Sequence, residues 1–580
     1  MTAKPVYFGP RGGLFGWWEL PAKTPRGCVV ISDSVAYESM CAHWAFRKLS
    51  AQLAELGFAV LRVDMAGTGD SADIAENESV VEKWKWSLHQ AADAARAWSG
   101  GAPLALLGLR LSGTLMAHVA AERDDVNALV MLDPPAQGRL WLREQKALAM
   151  TGGIGIGKAA VEETGDGGQS ILGYPYSPRT QAELGKLTLA SLTKRPARKV
   201  LVIHREGRQL DGAALDALDR GATTMVPSDN GGLDALLKDG LFSKEPVIDF
   251  ARVGSWLDSA FGAASGAHHP AFKAATHLEG DGFIEEAQIL GAERGLASIR
   301  CLPTRAKQRA ATLVILNTGV NHRVGSHRTS VELARSMAKL GFASLRFDVG
   351  GVGDTAPMRG QVQNLPYNRG NLDDVKVATD WLHHKGHDRF VLTGICSGGY
   401  NSFYSALADE RVKAAVLTNA QRFMWKDGDT VEISMRKSIK STQHYQTAAL
   451  ELETWKRVVR GEVDLRRVVP QLAKRAALQS VRRIETRISR TLGSRFERDP
   501  VARGFLKLCE RDVKLTFVLS ADDGARDELD HHLGPDLAVL KGRKNIAVEI
   551  LEGADHTLTQ RFARARLFEV IEARLKEVDQ

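Results

Sequence analysis

The chain carries an internal repeat, and this repeat limits the folds open to it more than any other feature. Residues 57–64 read GFAVLRVD, and residues 341–348, 284 positions later, read GFASLRFD. The same spacing relates the turn-like segments 67–71 and 351–355. Two further pairs of segments match at nearly the same spacing, residues 13–21 with 295–303 and residues 107–113 with 393–399. A spacing this constant indicates a duplicated domain.

Each copy alternates short apolar segments with longer segments of helical spacing. Such alternation predicts a mostly parallel, twisted sheet with helices on both faces. A chain of 580 residues is also too long for a single hydrophobic core. We therefore predict an α/β protein of two tandem domains, residues 1–262 and 275–580, joined by a linker at 263–274. Sheets of this kind place their functional groups beyond the carboxyl ends of the strands.

One segment of the second copy has the pattern of a nucleophile elbow. In residues 391–400 (VLTGICSGGY), an apolar strand leads through Gly394 to Cys396, and two glycines open a helical segment. Small residues are needed because the turn brings the backbones of strand and helix close together. Cys396 is therefore the candidate nucleophile. Ser397 is the alternative, but an elbow centred on it would put bulky Ile395 where a small residue is required.

On these residues, both halves of the chain resemble the α/β-hydrolases. The repeated block GFAxLRxDxxGxGD is similar to the turn that follows a strand in serine-aminopeptidase-like and acyl-transferring members. Residues 321–354 look most like bacterial hydrolases associated with exopolysaccharide and exosortase gene systems. The resemblance implies two tandem α/β-hydrolase domains. In a competent domain, the nucleophile is followed along the chain by an acid and then by a histidine.

The second copy supplies an acid and a base in that order. Asp523 follows the apolar segment 515–519, and Asp522 is the alternative acid. His556 follows the next apolar segment and precedes a last helical one. A thiol nucleophile needs a base within hydrogen-bond reach and a third group that orients the base. We therefore predict that His556 takes the proton of Cys396 and returns it to the leaving group, while Asp523 orients the imidazole.

An intermediate on Cys396 would carry a negatively charged oxygen. Backbone N–H groups that face this oxygen stabilise it. In the fold that the resemblance implies, one donor is the residue after the nucleophile, Ser397, and the other lies in the loop after an earlier strand. We predict that this loop is 318–320, with Gly319 and Val320 as the candidate donors.

The first copy lacks each of these catalytic groups. Its elbow centre is Arg110, whose side chain stays protonated and cannot attack. The acid position falls near Gly207, and the loop expected to hold the base, residues 227–231, contains no histidine. We therefore predict a degenerate hydrolase domain in residues 1–262. Arg110 either holds an anion at the elbow or belongs to a surface salt bridge.

A long insert separates the elbow of the second copy from its acid. Residues 421–514 are predicted to form a helical lid, because apolar residues recur along part of it at three- and four-residue spacing. Basic residues dominate the segment 471–500. Three interpretations of this segment stay open: a lid helix with a solvated basic face, a peripheral contact with an anionic inner membrane, or a site for an anionic substrate.

Composition bears on several other classes of protein. The five cysteines are scattered and form no CxxC pair, so we expect no disulfide framework, no metal and no cofactor. A net charge of +8 allows attraction to anions, but no nucleic-acid-binding motif is present. No signal peptide and no apolar run of about 20 residues occurs, and we expect a cytoplasmic protein.

These patterns together predict an acyl hydrolase, either an esterase or a thioesterase. Its substrate would be a small-molecule acyl ester or thioester, and its intermediate an acyl group on Cys396. Transfer of the acyl group to an amine or a sugar hydroxyl is one alternative, and a non-catalytic scaffold of a polysaccharide system is another. The exopolysaccharide context rests on the resemblance alone. The sequence does not specify an oligomeric state.

Overall fold

The computed structural model describes residues 3–151, 161–262, 273–425 and 498–580. The first half contains the strands β1 (Lys4–Phe8), β2 (Leu14–Glu19), β3 (Gly27–Ser32), β4 (Phe58–Asp64), β5 (Leu104–Leu109), β6 (Val126–Leu132), β7 (Val161–Glu163), β8 (Gln169–Ile171), β9 (Tyr174–Tyr176), β10 (Lys199–His204) and β11 (Thr223–Pro227). Its helices are α1 (Ala36–Glu55), α2 (Val80–Trp98), α3 (Leu111–Ala121), α4 (Gly138–Thr151), α5 (Pro178–Lys186), α6 (Gly212–Ala217), α7 (Gly232–Leu236) and α8 (Val247–Ala260).

The second half repeats this alternation of strands and helices. Its strands are β12 (Leu278–Gly280), β13 (Phe283–Leu290), β14 (Leu296–Pro303), β15 (Ala311–Ile315), β16 (Ala343–Phe347), β17 (Arg389–Ile395), β18 (Val412–Thr418), β19 (Lys514–Ser520) and β20 (Ile546–Leu551). Its helices are α9 (Thr329–Lys339), α10 (Gly370–His384), α11 (Ser397–Ala408), α12 (Pro500–Glu510), α13 (Ala525–Leu533) and α14 (Arg561–Asp579).

Each half is built on one large, mainly parallel sheet. The strand order is β1-β2-β4-β3-β5-β6-β10-β11 in the first and β12-β13-β14-β16-β15-β17-β18-β19-β20 in the second. Strands β1, β2, β12, β13 and β14 run antiparallel to their neighbours, and the remaining pairs are parallel. Two apolar clusters pack against each sheet, one on either face, and one cluster of the second half also includes Tyr7, Phe15 and Trp17 of the first half. This is the α/β-hydrolase fold that the sequence predicted, present twice.

Two elements of the first half differ from what the sequence pattern alone indicates. The apolar spacing favours a start of α1 at Phe46, but the helix begins at Ala36. The apolar spacing does not extend over the first turns of the helix, because they contain Glu38, a charged residue that is nevertheless buried. A small antiparallel sheet, β7-β8-β9, lies between α4 and α5. Its strands have three residues each, too few for a periodic pattern.

The predicted lid, residues 421–514, is only partly within the described part of the chain. Residues 426–497, which include most of the basic segment 471–500, lie outside it. The end of the insert packs into the core of the second half. Asp499 caps α12 by accepting two N–H groups of its first turn. Phe505 of α12 is fully buried. Its ring packs against those of Phe403, Phe423 and Phe517 at 4.3, 5.3 and 5.4 Å.

The structure explains why the turn after β4 and β16 recurs in the repeat. In each copy, the first aspartate of the block accepts the N–H of the last one. Asp64 Oδ2 accepts from Asp70 at 2.9 Å, and Asp348 Oδ2 accepts from Asp354 at 3.0 Å. The hydroxyl residue that follows donates to the backbone oxygen of the first aspartate, at 2.6 and 2.8 Å. The repeated residues therefore close the same turn twice.

The last aspartate of each turn binds an arginine of the other half. Asp70 Oδ1 lies 2.9 Å from Arg346 Nη2, and Asp354 Oδ1 lies 2.6 Å from Arg62 Nη2. All four side chains are buried. Burial opposes ionisation of Asp70, but Arg323 and Arg346 hold its pKa below its usual range. Because both residue types occupy equivalent positions of the repeat, the contacts are reciprocal, as they are across a two-fold dimer interface.

The connection between the halves is described only at its end. Residues 263–272 of the predicted linker, 263–274, lie outside the described ranges. Just after it, the Ala275 N–H donates to the Tyr7 carbonyl oxygen of β1 at 2.8 Å. Among the residues that the structure describes, no helix has both the length and the apolar character needed to cross a bilayer.

Replacing Phe505 by alanine tests whether α12 belongs to the core. We expect Phe505→Ala to lower the free energy of unfolding by about 3–5 kcal/mol, because it leaves a cavity among aromatic rings. Phe562→Ala, at a ring that is 52% exposed in α14, is the matched control and should change it little. Urea denaturation measures both values. Equal effects of the two changes would contradict the core assignment.

Candidate active site

The elbow of the second half has the backbone expected of a nucleophile turn. Strand β17 ends at Ile395, helix α11 begins at Ser397, and Cys396 between them has φ 57° and ψ −115°. A non-glycine residue rarely adopts a positive φ, so the surrounding structure holds this one under strain. The small residues are needed here, since a Cβ on Gly394 would lie 2.5 Å from Gly398 Cα.

Three of the predicted residues meet at the carboxyl edge of the second sheet. Cys396 follows β17, Asp523 follows β19 and His556 follows β20. His556 Nδ1 lies 2.7 Å from Asp523 Oδ2, and the same imidazole lies close enough to the Cys396 thiol to lower the pKa of the thiol. Cys396 is partly exposed, whereas the other four cysteines are buried. A thiol, an imidazole and a carboxylate in this order can activate a sulfur nucleophile.

The electrostatics of the site favour an ion pair between Cys396 and His556. Burial opposes ionisation of the thiol, but the charge and hydrogen bond of His556 outweigh it and hold the pKa of Cys396 below its ordinary value of 9.0. Burial also disfavours a charged imidazole, but Asp523 and Cys396 raise the pKa of His556 well above its ordinary 6.5. These opposite shifts favour a thiolate paired with an imidazolium over a neutral thiol and imidazole.

Two polar residues that the sequence analysis missed hold the base and the acid. Gln421 donates from Nε2 to Asp523 Oδ2 at 2.8 Å, the oxygen that also binds the imidazole. Asn419, directly after β18, donates from Nδ2 to the His556 carbonyl oxygen at 2.9 Å. A signal for Asn419 exists in the repeat: Asp133 occupies the equivalent position of the first half, and both residues have φ near 45°.

Aromatic rings border the thiol. The Tyr367 hydroxyl oxygen lies 3.5 Å from Cys396 Sγ. The Tyr367 ring stacks on Trp425 at 4.8 Å and meets Tyr400 edge-on at 5.4 Å. Burial, and after it the charge of Cys396, raise the pKa of Tyr367, so its hydroxyl keeps its proton. The sequence gives no signal for this residue, because its loop before α10 lies outside the repeated blocks.

The predicted oxyanion loop reaches the elbow through Gly319. The Gly319 N–H donates to Ser397 Oγ at 3.0 Å, and Val320 is buried beside it. Ser397 is the first residue of α11, so its own N–H has no acceptor within the helix. The Gly319 N–H would donate to a substrate oxygen once the Ser397 hydroxyl rotates away, or it would donate to the hydroxyl and the substrate oxygen together.

The alternative residues differ from the main candidates in position. Asp522 is exposed, whereas Asp523 is buried against His556. Ser397 is buried, its hydroxyl is engaged by a backbone N–H, and it lies one residue past the strained position. The geometry therefore favours Asp523 as the acid and Cys396 as the nucleophile.

The first half keeps the elbow backbone but not its chemistry. Arg110 has φ 51° and ψ −124°, nearly the angles of Cys396. Its guanidinium binds Glu38 at 2.9 Å, Asp133 at 2.6 Å and also Glu144. Burial disfavours its charge, but these carboxylates raise the pKa of Arg110 further. Of the two predicted roles, the salt bridge is present, but it is buried and not at the surface, since two of its three carboxylates are buried as well.

No family model matches the chain, and no curated protein matches it. Solved structures do match. The esterase domain of a Rhodothermus marinus protein is 18% identical, with 45% of this chain and 99% of that one covered and a TM-score of 0.32. Est1E of Butyrivibrio proteoclasticus, solved with ferulic acid bound, is 17% identical over 43% and 95%, with a TM-score of 0.30. Alpha/beta hydrolase domain-containing protein 10 from mouse is 19% identical over 44% and 99%, with a TM-score of 0.31.

The rate at which iodoacetamide alkylates Cys396 tests the ion pair. The wild-type thiol should react below pH 9.0, because His556 lowers its pKa. In His556→Ala, burial and the charge of Asp523 raise the pKa of the thiol while the Tyr367 hydroxyl still lowers it, so the midpoint of the profile should move to higher pH and the rate at pH 7 should fall. Mass spectrometry of the Cys396 peptide from about pH 5 to pH 10 measures the profile. The exposed control His384→Ala should keep the wild-type profile. An unchanged profile in His556→Ala would refute the pairing.

Replacing Arg110 tests its role in the first half. Arg110→Met leaves Glu38 buried without its cation and leaves Asp133 with Arg205 alone, and we expect it to lower the free energy of unfolding by about 3–5 kcal/mol. Arg208→Met, which removes a half-exposed cation bound to Glu144, should have a much smaller effect. Urea denaturation of both variants decides the point. If Arg110→Met is no worse than Arg208→Met, Arg110 does not hold this network together.

Proposed function

We propose that the second half is an acyl hydrolase that uses Cys396 as its nucleophile. The observation that carries the proposal is the meeting of Cys396, His556 and Asp523 at a strained, partly exposed elbow, with His556 hydrogen-bonded to Asp523 and electrostatically coupled to Cys396. A structural cysteine has no need of an imidazole whose pKa is raised by a buried carboxylate, and perturbed pairs of this kind are typical of active sites.

In the first step, the Cys396 thiolate attacks the carbonyl carbon of an ester or thioester. A C–S bond forms, and the π electrons of the carbonyl move to its oxygen. The N–H groups of Gly319 and Ser397 are the candidate donors to this oxygen. The intermediate then collapses, the bond to the leaving group breaks, and His556 donates its proton to the departing alcohol or thiol. The product is a thioester on Cys396.

In the second step, water attacks the thioester while His556 accepts one of its protons. The C–S bond breaks, the acid product leaves, and thiolate and imidazolium are restored together. Asp523 keeps the imidazole in the tautomer with its proton on Nδ1 and stabilises its charged form. An amine or a sugar hydroxyl in place of water would make the same site a transferase.

The surroundings of the thiol favour substrates that contain a ring. The Tyr367 hydroxyl lies next to Cys396, and the rings of Trp425 and Tyr400 pack against the ring of Tyr367. Such surfaces pack against the faces of aryl groups and sugars. Together with the resemblance of residues 321–354 to hydrolases of exopolysaccharide gene systems, this makes acyl esters on sugars the first natural substrates to test.

Turnover of p-nitrophenyl acetate by Cys396→Ala tests the mechanism. We expect its kcat/KM to fall by roughly 10³-fold or more, because the nucleophile is removed. The wild-type protein should carry an acyl adduct on the Cys396 peptide, visible by mass spectrometry and removed by neutral hydroxylamine as a thioester would be. Unchanged hydrolysis in Cys396→Ala would contradict the proposal.

A second comparison tests the acid with a matched control. Asp523→Asn should lower turnover by roughly 10³–10⁴-fold, because the imidazole loses its orienting partner. Asp522→Asn changes an exposed neighbour and should retain activity. A faster reaction with added amine or sugar acceptor would identify a transferase. A wild-type protein that forms no adduct and hydrolyses no ester would favour the non-catalytic scaffold.

A further inference from the structure

The predicted oxyanion loop of the second half lies against the first half along five consecutive residues, 319–323. On one side, a short loop of the first half, residues 239–241, covers its beginning. Leu241 Cδ2 lies 3.9 Å from the position of a Cβ on Gly319. A Cβ on Gly240 would lie 3.6 Å from Val320 Cγ2 and 3.4 Å from Asn321 Oδ1.

This covering loop is itself fixed within the first half. Asp239 Oδ1 accepts the N–H of Leu241 at 3.1 Å, and Asp239 Oδ2 accepts the Tyr37 hydroxyl of α1 at 3.2 Å. The loop therefore presents a preformed surface to Gly319.

The other end of the oxyanion loop is buried in the first half. The His322 ring stacks on the ring of His43 with centroids 3.9 Å apart and planes 6° from parallel. The Arg323 guanidinium binds Asp70 Oδ2 at 2.6 Å and is 1% exposed. It also lies over the rings of Phe15 and Trp17, at 5.4 and 5.5 Å.

Within the second half, Arg323 is tied to the start of the same loop. Asp348 Oδ1 accepts the Arg323 N–H at 2.5 Å and the Asn317 side-chain amide at 3.1 Å. The Asn317 amide also donates to the Asn321 carbonyl oxygen at 3.0 Å. A shift of Arg323 would therefore be transmitted to the backbone that carries Gly319.

We propose that the degenerate first half is a positioning partner, whose Leu241 and Asp70 hold residues 319–323 so that the Gly319 N–H faces the elbow. The inference rests on the proposed function, because an oriented donor matters only if an oxyanion forms at Cys396. Leu241 and Asp70 are positioning residues, since they act through the loop and do not touch the reacting atoms. The first half thus contributes to catalysis without a nucleophile of its own.

The test compares ester turnover with alkylation of the same thiol in the full-length protein. Alkylation of Cys396 by iodoacetamide needs the thiolate but no oxyanion donor, whereas ester hydrolysis needs both. Leu241→Ala and Asp70→Asn should lower the kcat for p-nitrophenyl acetate by about tenfold to a hundredfold, as expected for a misplaced donor. The alkylation rate of Cys396 at pH 7 should stay within about twofold of wild type.

Asp73→Asn is the matched control. Asp73 also joins the halves, through Arg328 and Arg335, but neither arginine belongs to residues 319–323. In this variant, the turnover of p-nitrophenyl acetate and the alkylation rate of Cys396 should both stay near their wild-type values. A parallel fall of turnover and alkylation in Leu241→Ala would mean general disruption of the site, and unchanged turnover in both Leu241→Ala and Asp70→Asn would overturn the proposal.

Hydrogen exchange gives a readout that does not depend on activity. Amide protons of residues 317–323 should exchange faster in Leu241→Ala and Asp70→Asn than in wild type, while those of β17 and α11 keep their protection. Leu241→Ala trims a half-buried side chain and keeps the test valid if Asp70→Asn fails to fold. Absence of Cys396-dependent turnover in the wild type would refute the proposed function, whereas unchanged exchange in the Leu241 variant would refute the positioning role alone.

Discussion

Buried charge is the constraint on which this structure depends. Asp70, Asp354, Arg62 and Arg346 have almost no contact with solvent, and among the described residues the ion-pair partners of Asp70 and Arg62 all belong to the second half. A buried charge without a partner costs several kcal/mol, so the first half could not bury Asp70 and Arg62 alone. The reciprocal pairs therefore fix how the two sheets pack. They explain why both copies retain the aspartate that ends the repeated turn, although only one copy carries a catalytic candidate.

The two elbows have the same backbone conformation but carry different chemical groups. Cys396 and Arg110 share a strained conformation that costs of the order of 1–3 kcal/mol. In the second half, this conformation presents a thiol to an imidazole. In the first, it brings a guanidinium to carboxylates that include Glu38 and Asp133, so the strain is balanced by a buried ionic network. A strained elbow by itself is therefore evidence of ancestry, and the groups around it are the evidence of activity.

The sequence predicts those parts of the site that depend on local order along the chain. Cys396, Asp523 and His556 follow strand ends, and parallel strands bring their ends to one edge of a sheet. Contacts made by long-range packing have no such signature. Gln421 reaches Asp523 from the start of the insert, and Tyr367 comes from a loop that the repeat does not cover. The ion pair of Asp70 has no sequence signature either. Its place in the repeated block indicates only a turn, and its partner Arg346 lies hundreds of residues away.

The reciprocal junction has a consequence for assembly. A self-complementary surface on a separate domain pairs only at a sufficient concentration of that domain, and it can also recruit a second identical copy. Here the two complementary surfaces belong to one chain, so the effective local concentration of each for the other is set by a short connection. Dilution cannot separate the two surfaces, and each is already covered by the other within the same molecule. Tandem duplication has thus made a fixed pairing of unlike partners out of what resembles a symmetric dimer.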